Sequence, residues 1–258
     1  MAGRAPRFEL FNTESHALRS RYVDQAYRIG VWLPFSYGSE PNRRYPTLYV
    51  PDAEFVFAAA CGILPTLIGP AVPEMLVVGV AYEGIGSWGE FGVLRERDML
   101  PPSIQSTPGE NRFEGYQRFW LEELLPYIES RYPADPAERG ILGFSAGGFY
   151  VLQMLLARPG AFRRHVAVSG SWPGVAEYLL SHRAELPPEH PPSELYLGAG
   201  EADMEQAEGM AALIAALAGT PGLHLAHETI PGEGHSAGMI AASLLRGLPA
   251  VYAQRASG

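Results

Sequence analysis

Through its second half the chain alternates short apolar runs with longer helix-forming stretches, and this rhythm restricts the possible folds more than any other feature. Residues 139–142, 164–169, 195–198 and 223–230 read as strands, whereas 150–156, 204–217 and 240–252 read as helices. Strand following helix following strand predicts an α/β fold: a mainly parallel central sheet with helices on both faces. The first half fits the same plan. Residues 25–33 read as a strand stopped by Pro34, 47–50 as a buried strand and 55–64 as a helix. Residues 75–81 form a continuous, valine-rich run without polar alternation, as parallel strands covered on both faces tend to be. Between 113 and 131, Phe113, Tyr116, Phe119, Trp120, Leu124, Tyr127 and Ile128 recur at helical spacing and predict a core-facing stripe.

The remaining segments read as connections. Residues 84–109, with their glycines and prolines, predict a long irregular loop, a kind of segment more often functional than idle. Pro187, Pro188, Pro191 and Pro192 read as a rigid surface loop, because one alternating series continues on either side of them. Residues 1–20 are expected to form an N-terminal extension or an edge strand, and the whole chain, 1–258, a single domain without linker or repeat.

Composition then narrows the chemistry. A net charge of −9 argues against general nucleic-acid binding, which requires clustered cations. All 19 Lys+Arg residues are arginines, which removes Schiff-base chemistry and Ser–Lys dyads. Cys61 is the only cysteine, so there is no internal disulfide and no multi-cysteine zinc site; it reads as a small buried apolar group. No apolar run is long enough to span a bilayer and no secretory h-region stands at the N-terminus, so a cytoplasmic location is expected, with no membrane partner.

The chemistry concentrates at Gly143-Phe-Ser-Ala-Gly147, a Gly-x-Ser-x-Gly pattern placed where a predicted strand gives way to a predicted helix. A serine forced into a sharp turn, with strand and helix crowding it, needs flanking residues without side chains; Ser145 is therefore the candidate nucleophile. The amide of Ala146 and the helix N-terminus behind it point toward an attacked carbonyl and supply one oxyanion donor. A neutral serine also needs a base, and around such a bend the acid follows the serine while the histidine comes last. Of the seven histidines only His235 lies beyond the last predicted strand, in the Gly-rich loop 231–236. His224 and His227, three apart on a strand, face opposite sides and do not suggest a shared metal. His16, His165, His182 and His190 carry no functional expectation.

Two carboxylates compete for the acid at the exit of the 195–198 strand, Glu201 and Asp203. Asp203 completes a Gly-x-x-Asp spacing and is preferred; without either, a Ser–His dyad could still act. A second oxyanion amide is expected in the 52–54 loop, at Ala53. Asp52 itself precedes the serine and sits on the wrong strand for the triad acid.

With these pieces placed, residues 20–253 resemble the putative-esterase branch of the α/β-hydrolases, which includes siderophore esterases, feruloyl esterases and S-formylglutathione hydrolase. The segments that carry the resemblance are Tyr45-Pro-Thr-Leu-Tyr-Val-Pro-Asp-Ala, Arg95-Glu-Arg-Asp-Met-Leu-Pro, Glu122-Glu-Leu-Leu-Pro-Tyr-Ile, Gly143-Phe-Ser-Ala-Gly-Gly, Ser169-Gly-Ser-Trp and Gly232-Glu-Gly-His. Ala53 departs from the family's usual glycine and adds a side chain near the site. The resemblance implies the α/β-hydrolase fold, a role for Arg95 or Arg97 in binding an acidic or phenolic substrate group, and Trp172 as a pocket wall. A buried Arg–Asp pair is the structural alternative for the two arginines, and packing under the loop the alternative for Trp172.

The expected activity is hydrolysis of carboxylic esters through an acyl-enzyme, without metal or organic cofactor, on a small-molecule substrate. A siderophore trilactone, a general small ester, acyl transfer and peptide cleavage remain within that class. A catalytically inactive binding protein is the alternative outside it. Oligomeric state is not encoded legibly.

Overall fold

The computed structural model describes residues 9–106, 108–182 and 192–253. Its strands are β1 Thr13–Arg19, β2 Ala26–Trp32, β3 Tyr45–Val50, β4 Leu76–Tyr82, β5 Ala134–Phe144, β6 Arg164–Val168, β7 Ser193–Gly200 and β8 Leu223–Ile230. They join into one 8-stranded sheet in the order β1-β2-β4-β3-β5-β6-β7-β8. β2 pairs antiparallel with both β1 and β4, and every pairing from β4 to β8 is parallel. The C-terminal ends of β3, β5, β6, β7 and β8 therefore gather along one edge, which is where such sheets carry ligands and chemistry.

Helices cover both faces, as the alternation predicts. They are α1 Val56–Ile63, α2 Trp88–Met99, α3 Phe113–Arg118, α4 Leu125–Arg131, α5 Ala146–Ala157, α6 Pro173–Ser181, α7 Met204–Leu217, α8 Ala237–Ala242 and α9 Leu248–Tyr252. One core lies under α2 to α7 and takes Val78, Ile141, Ala167 and Leu197 from the sheet. The opposite core, under α1, α8 and α9, takes Val77, Leu142, Val166 and Tyr196 from the same strands. Neighbouring residues of a central strand thus enter different cores, and this is why the 75–81 run lacks alternation. Full burial of each such apolar side chain contributes about 1.5–3 kcal/mol.

Two helices widen into π-turns, at Phe119–Leu124 and Ser243–Gly247. Each widening immediately precedes a helix whose second residue is proline, Pro126 in α4 and Pro249 in α9. A proline ring lacks the N–H and collides with the carbonyl four residues back, so a local expansion of the helix accommodates it.

The irregular loop expected over residues 84–109 is corrected: its middle is α2, twelve residues capped at Ser87, whose hydroxyl accepts from the amide of Glu90 at 3.2 Å. Its buried face is Phe91, Asp98 and Met99. A buried aspartate and the glycines of the first turns hide the helical period from an apolar-pattern reading. Helix α6 was not expected either, although Pro173 opens it at the position where proline is favoured. β1 occupies the edge of the sheet within the N-terminal segment. His190, Pro187, Pro188 and Pro191 lie outside the described residues.

Candidate active site

Ser145 joins β5 to α5 at φ 59 and ψ −124, a left-handed conformation that a side-chain-bearing residue adopts only under constraint. Its amide donates to the carbonyl of Val168 on β6 at 3.0 Å, and its carbonyl accepts from Phe149 at 2.9 Å. The flanking glycines are demanded by contact. A Cβ at Gly143 would meet the carbonyl oxygen of Gly147 at 2.2 Å, and one at Gly147 would meet Asp52 Oδ2 at 2.8 Å. The amide of Ala146 opens α5 and, among the described residues, donates to no backbone carbonyl. It belongs to the set of first-turn donors that a helix leaves for an anion.

Two loops at the same edge bring up the partners. Asp203 follows β7 and His235 follows β8, and hydrogen bonds lace these loops together: Glu201 N to Ile230 O at 2.9 Å, Ala202 N to Glu233 O at 2.8 Å, and Gly232 N to Glu201 Oε2 at 2.9 Å. Beyond the histidine, Ser236 caps α8 by accepting from Gly238 N at 3.1 Å and donates to Glu233 Oε2 at 2.6 Å. The result is a continuous chain of contacts. His235 Nδ1 lies 2.9 Å from Asp203 Oδ2, and His235 Nε2 lies 3.0 Å from Ser145 Oγ.

The chemistry of the carboxylate fixes the proton positions. An ionised Asp203 can only accept, so Nδ1 carries the hydrogen and Nε2 presents its lone pair to the serine hydroxyl. The imidazole also lies over Phe144, with ring centroids 4.8 Å apart. Of the two competing carboxylates, Asp203 meets the imidazole, while Glu201 fastens the loop that carries the histidine.

The loop after β3 departs from expectation. Asp52 adopts φ 57, and the amide of Ala53 donates to Val80 O on β4 at 3.1 Å. The expectation that Ala53 supplies the second oxyanion donor is therefore corrected, because its N–H is already committed to the sheet. Phe55 and Val56 both donate to Asp52 O, at 3.2 and 3.1 Å. Of the amides from 53 to 56, that of Glu54 turns to its own carboxylate instead of a backbone carbonyl. The Glu54 side chain accepts from Tyr82 N at 2.7 Å, and burial raises its carboxyl above the ordinary value.

Both predicted arginines are engaged by carboxylates. Arg95 forms a bidentate pair with Asp52, 2.8 and 2.7 Å, and donates to Phe144 O at 2.9 Å. Arg97 is bidentate to Asp98 at 2.7 and 3.0 Å, and Asp98 also accepts from Tyr27 at 2.7 Å. Both arginines form the Arg–Asp pairs that stood as the structural alternative. Trp172 is half-buried against the core at the start of α6, beyond the C-terminal end of β6. Cys61 packs in α1, and burial pushes its thiol up to about 12, which leaves it unreactive at neutral pH. The signal that could have exposed the Asp52–Arg95 pair was the lone aspartate at the end of a buried strand, which requires a cation.

Comparison with known proteins follows the same lines. The family model described as "Putative esterase" matches residues 20–218. The ferri-bacillibactin esterase BesA of Bacillus subtilis is 30% identical over 228 residues, covering 81% of this chain and 76% of that protein. The solved BES protein of Bacillus cereus superposes with a TM-score of 0.81 at 22% identity, covering 98% of this chain and all of that one (100%). The siderophore hydrolase EstB of Aspergillus nidulans gives 0.77 at 21% identity, covering 95% and 96%. Sequence motifs, fold and relatives agree that the chain belongs to the Putative esterase family, serine hydrolases of carboxylic esters built on the α/β-hydrolase fold.

Proposed function

We propose that the protein hydrolyses esters through an acyl-enzyme on Ser145. The observation that carries this reading is the unbroken chain Asp203–His235–Ser145, with separations of 2.9 and 3.0 Å. In the first step Ser145 Oγ attacks the ester carbonyl carbon while its proton passes to His235 Nε2, and the carbonyl oxygen becomes an oxyanion. The imidazolium, held by Asp203, then protonates the departing alkoxide. A water molecule enters, gives its proton to the same nitrogen, and releases the acid and free serine. The histidine side chain is 42% exposed, so water reaches the base without a lid having to open.

The oxyanion is held by the amide of Ala146 at the open first turn of α5. Such a donor is worth about 10²–10³ in kcat.

For the substrate we infer an ester-linked siderophore of the trilactone type. The support is the 30% identity with a protein described as a ferri-bacillibactin esterase. The open position of the base also suits a bulky substrate. The test compares turnover of a ferric catecholate trilactone with that of p-nitrophenyl acetate and butyrate, in the wild type and in Ser145→Ala. Preference for the trilactone by at least about 10²-fold in kcat/KM, abolished by Ser145→Ala, is the expected result. Preference for the short esters, again abolished in the variant, would make the protein a general carboxylesterase. Turnover that survives Ser145→Ala would remove the mechanism itself.

A further inference from the structure

Arg95 touches both halves of the site. Its guanidinium spans the carboxylate of Asp52, in the loop after β3, and the carbonyl of Phe144, the residue before the nucleophile. Asp52 is 1% exposed, so its charge has essentially no water to screen it. That charge is close to the reacting centre: Oδ2 sits 2.8 Å from where a Cβ on Gly147 would stand, against the first turn of α5. An unneutralised carboxylate there would oppose the negative charge that develops beside the amide of Ala146. The same Asp52 is also the left-handed corner whose carbonyl receives Phe55 and Val56.

We propose that Arg95 is a positioning residue for ester hydrolysis with two effects. It fixes the loop after β3 against the end of β5, beside the bend that carries Ser145 and the amide of Ala146. It also cancels the charge of Asp52 beside the site where the oxyanion forms. The second effect makes the two members of the pair unequal. Removing the arginine exposes the transition state to a bare anion, whereas neutralising Asp52 leaves a cation that does not repel it. A pair that served only as a brace would lose the same function from either side. This inference rests on the acyl-enzyme reading.

The test is steady-state kinetics on p-nitrophenyl butyrate for Arg95→Gln, Asp52→Asn, the double variant and Arg95→Lys, with a thermal midpoint recorded for each. Arg95→Gln is expected to lower kcat by about 10²-fold with KM changed less than about threefold, because the lost interaction acts in the transition state. Asp52→Asn should lose about tenfold, and adding it to Arg95→Gln should restore kcat toward the Asp52→Asn level. Arg95→Lys keeps the charge but cannot span both acceptors as a planar fork, and should fall between wild type and Arg95→Gln. It also serves if Arg95→Gln does not fold.

A raised KM at constant kcat in Arg95→Gln would overturn the proposal and make Arg95 a substrate contact. Equal losses in Arg95→Gln and Asp52→Asn, with no recovery in the double variant, would reduce the pair to a brace. Wild-type kcat in Arg95→Lys would remove the positioning effect. Ser145→Ala in the same assay separates the levels: an inactive Ser145→Ala beside a fully active Arg95→Gln defeats this inference alone, whereas an active Ser145→Ala defeats the acyl-enzyme reading beneath it.

Discussion

The two ends of the parallel sheet differ in which residues adopt left-handed backbone. At the N-terminal end, where chain returns from helix to strand, the positive φ angles belong to glycine: Gly69 before β4, Gly160 before β6, and Gly219 and Gly222 before β8. At the C-terminal end, glycines after β4 and β8 (Gly84 and Gly232) are joined by three residues that carry side chains, Asp52 after β3, Ser145 after β5 and Ser169 after β6, at φ 57, 59 and 48. Glycine adopts this conformation without penalty, whereas another residue costs about 1–3 kcal/mol there. The chain accepts that cost where a side chain is needed, for the nucleophile and for the carboxylate that Arg95 clasps. A cleft of about 880 Å³ lies at the N-terminal end, lined by Arg43, Glu74, Glu138, Arg164, Pro249 and Tyr252, and the triad is not part of it. Its charges are already paired, Arg43 with Glu74 and Arg164 with Glu138.

The comparison breaks most visibly at the acid. Asp203→Asn should lower kcat by about 10⁴-fold, because the amide reverses the preferred imidazole tautomer. Glu201→Gln, which alters only the fastening of the loop, should lose less than about tenfold by the same scale. Near-equal losses would mean that the two carboxylates share the role.

The paired arginines of α2 give the next largest effect. Arg97→Gln leaves Asp98 buried without its cation and should destabilise the fold by about 3 kcal/mol, read from denaturant unfolding. Its kcat should stay within about twofold of wild type, since Arg97 contacts neither the elbow nor the loop after β3. A selective fall in kcat would place Arg97 in the site after all.

Strain supplies a smaller and more discriminating pair. Ser145→Gly, although inactive, should be more stable than wild type by about 1 kcal/mol because it releases the left-handed turn. Gly160→Ala at the other end, at φ 87, should be less stable by about 1 kcal/mol with kcat unchanged. If Ser145→Gly is no more stable than wild type, the elbow stores no strain.

Much of this was legible because parallel strands and the serine bend leave strong local marks. The runs that became β4, β6 and β8 stand out as apolar segments, and α7 shows as an uninterrupted helical period from Met204 to Leu217. Ser145, His235 and Asp203 could be placed by their order relative to strands. What stayed hidden depends on contacts between segments distant in sequence. Nothing local to Ala53 reveals that its amide is taken by Val80, and nothing local to Arg95 reveals that its partner lies 43 positions upstream. Helix α2 escaped notice because Asp98, a core residue satisfied by Tyr27 and Arg97, interrupts the apolar period.

The smallest effect lies at the N-terminal cleft. Burial alone would raise the Glu74 carboxyl, but hydrogen bonds from Ser36 and the Arg43 guanidinium outweigh it and hold the group below its ordinary value. A carboxylate lowered in the folded state adds stability above its unfolded value of 4.5, and that stability is lost as pH falls through the folded value. Glu74→Gln should therefore flatten the acid limb of the stability profile, by less than about 1 kcal/mol because Arg43 is partly exposed. An unchanged acid limb would show that this pair contributes nothing.

Intact-protein mass spectrometry after treatment with a fluorophosphonate tests the central claim most directly. The wild type should gain one adduct, mapped by peptide analysis to Ser145, at a rate that falls steeply in His235→Ala while the fold is retained. Folded wild-type protein that remains unlabelled, or that carries the adduct at another residue, would contradict the assignment of the triad.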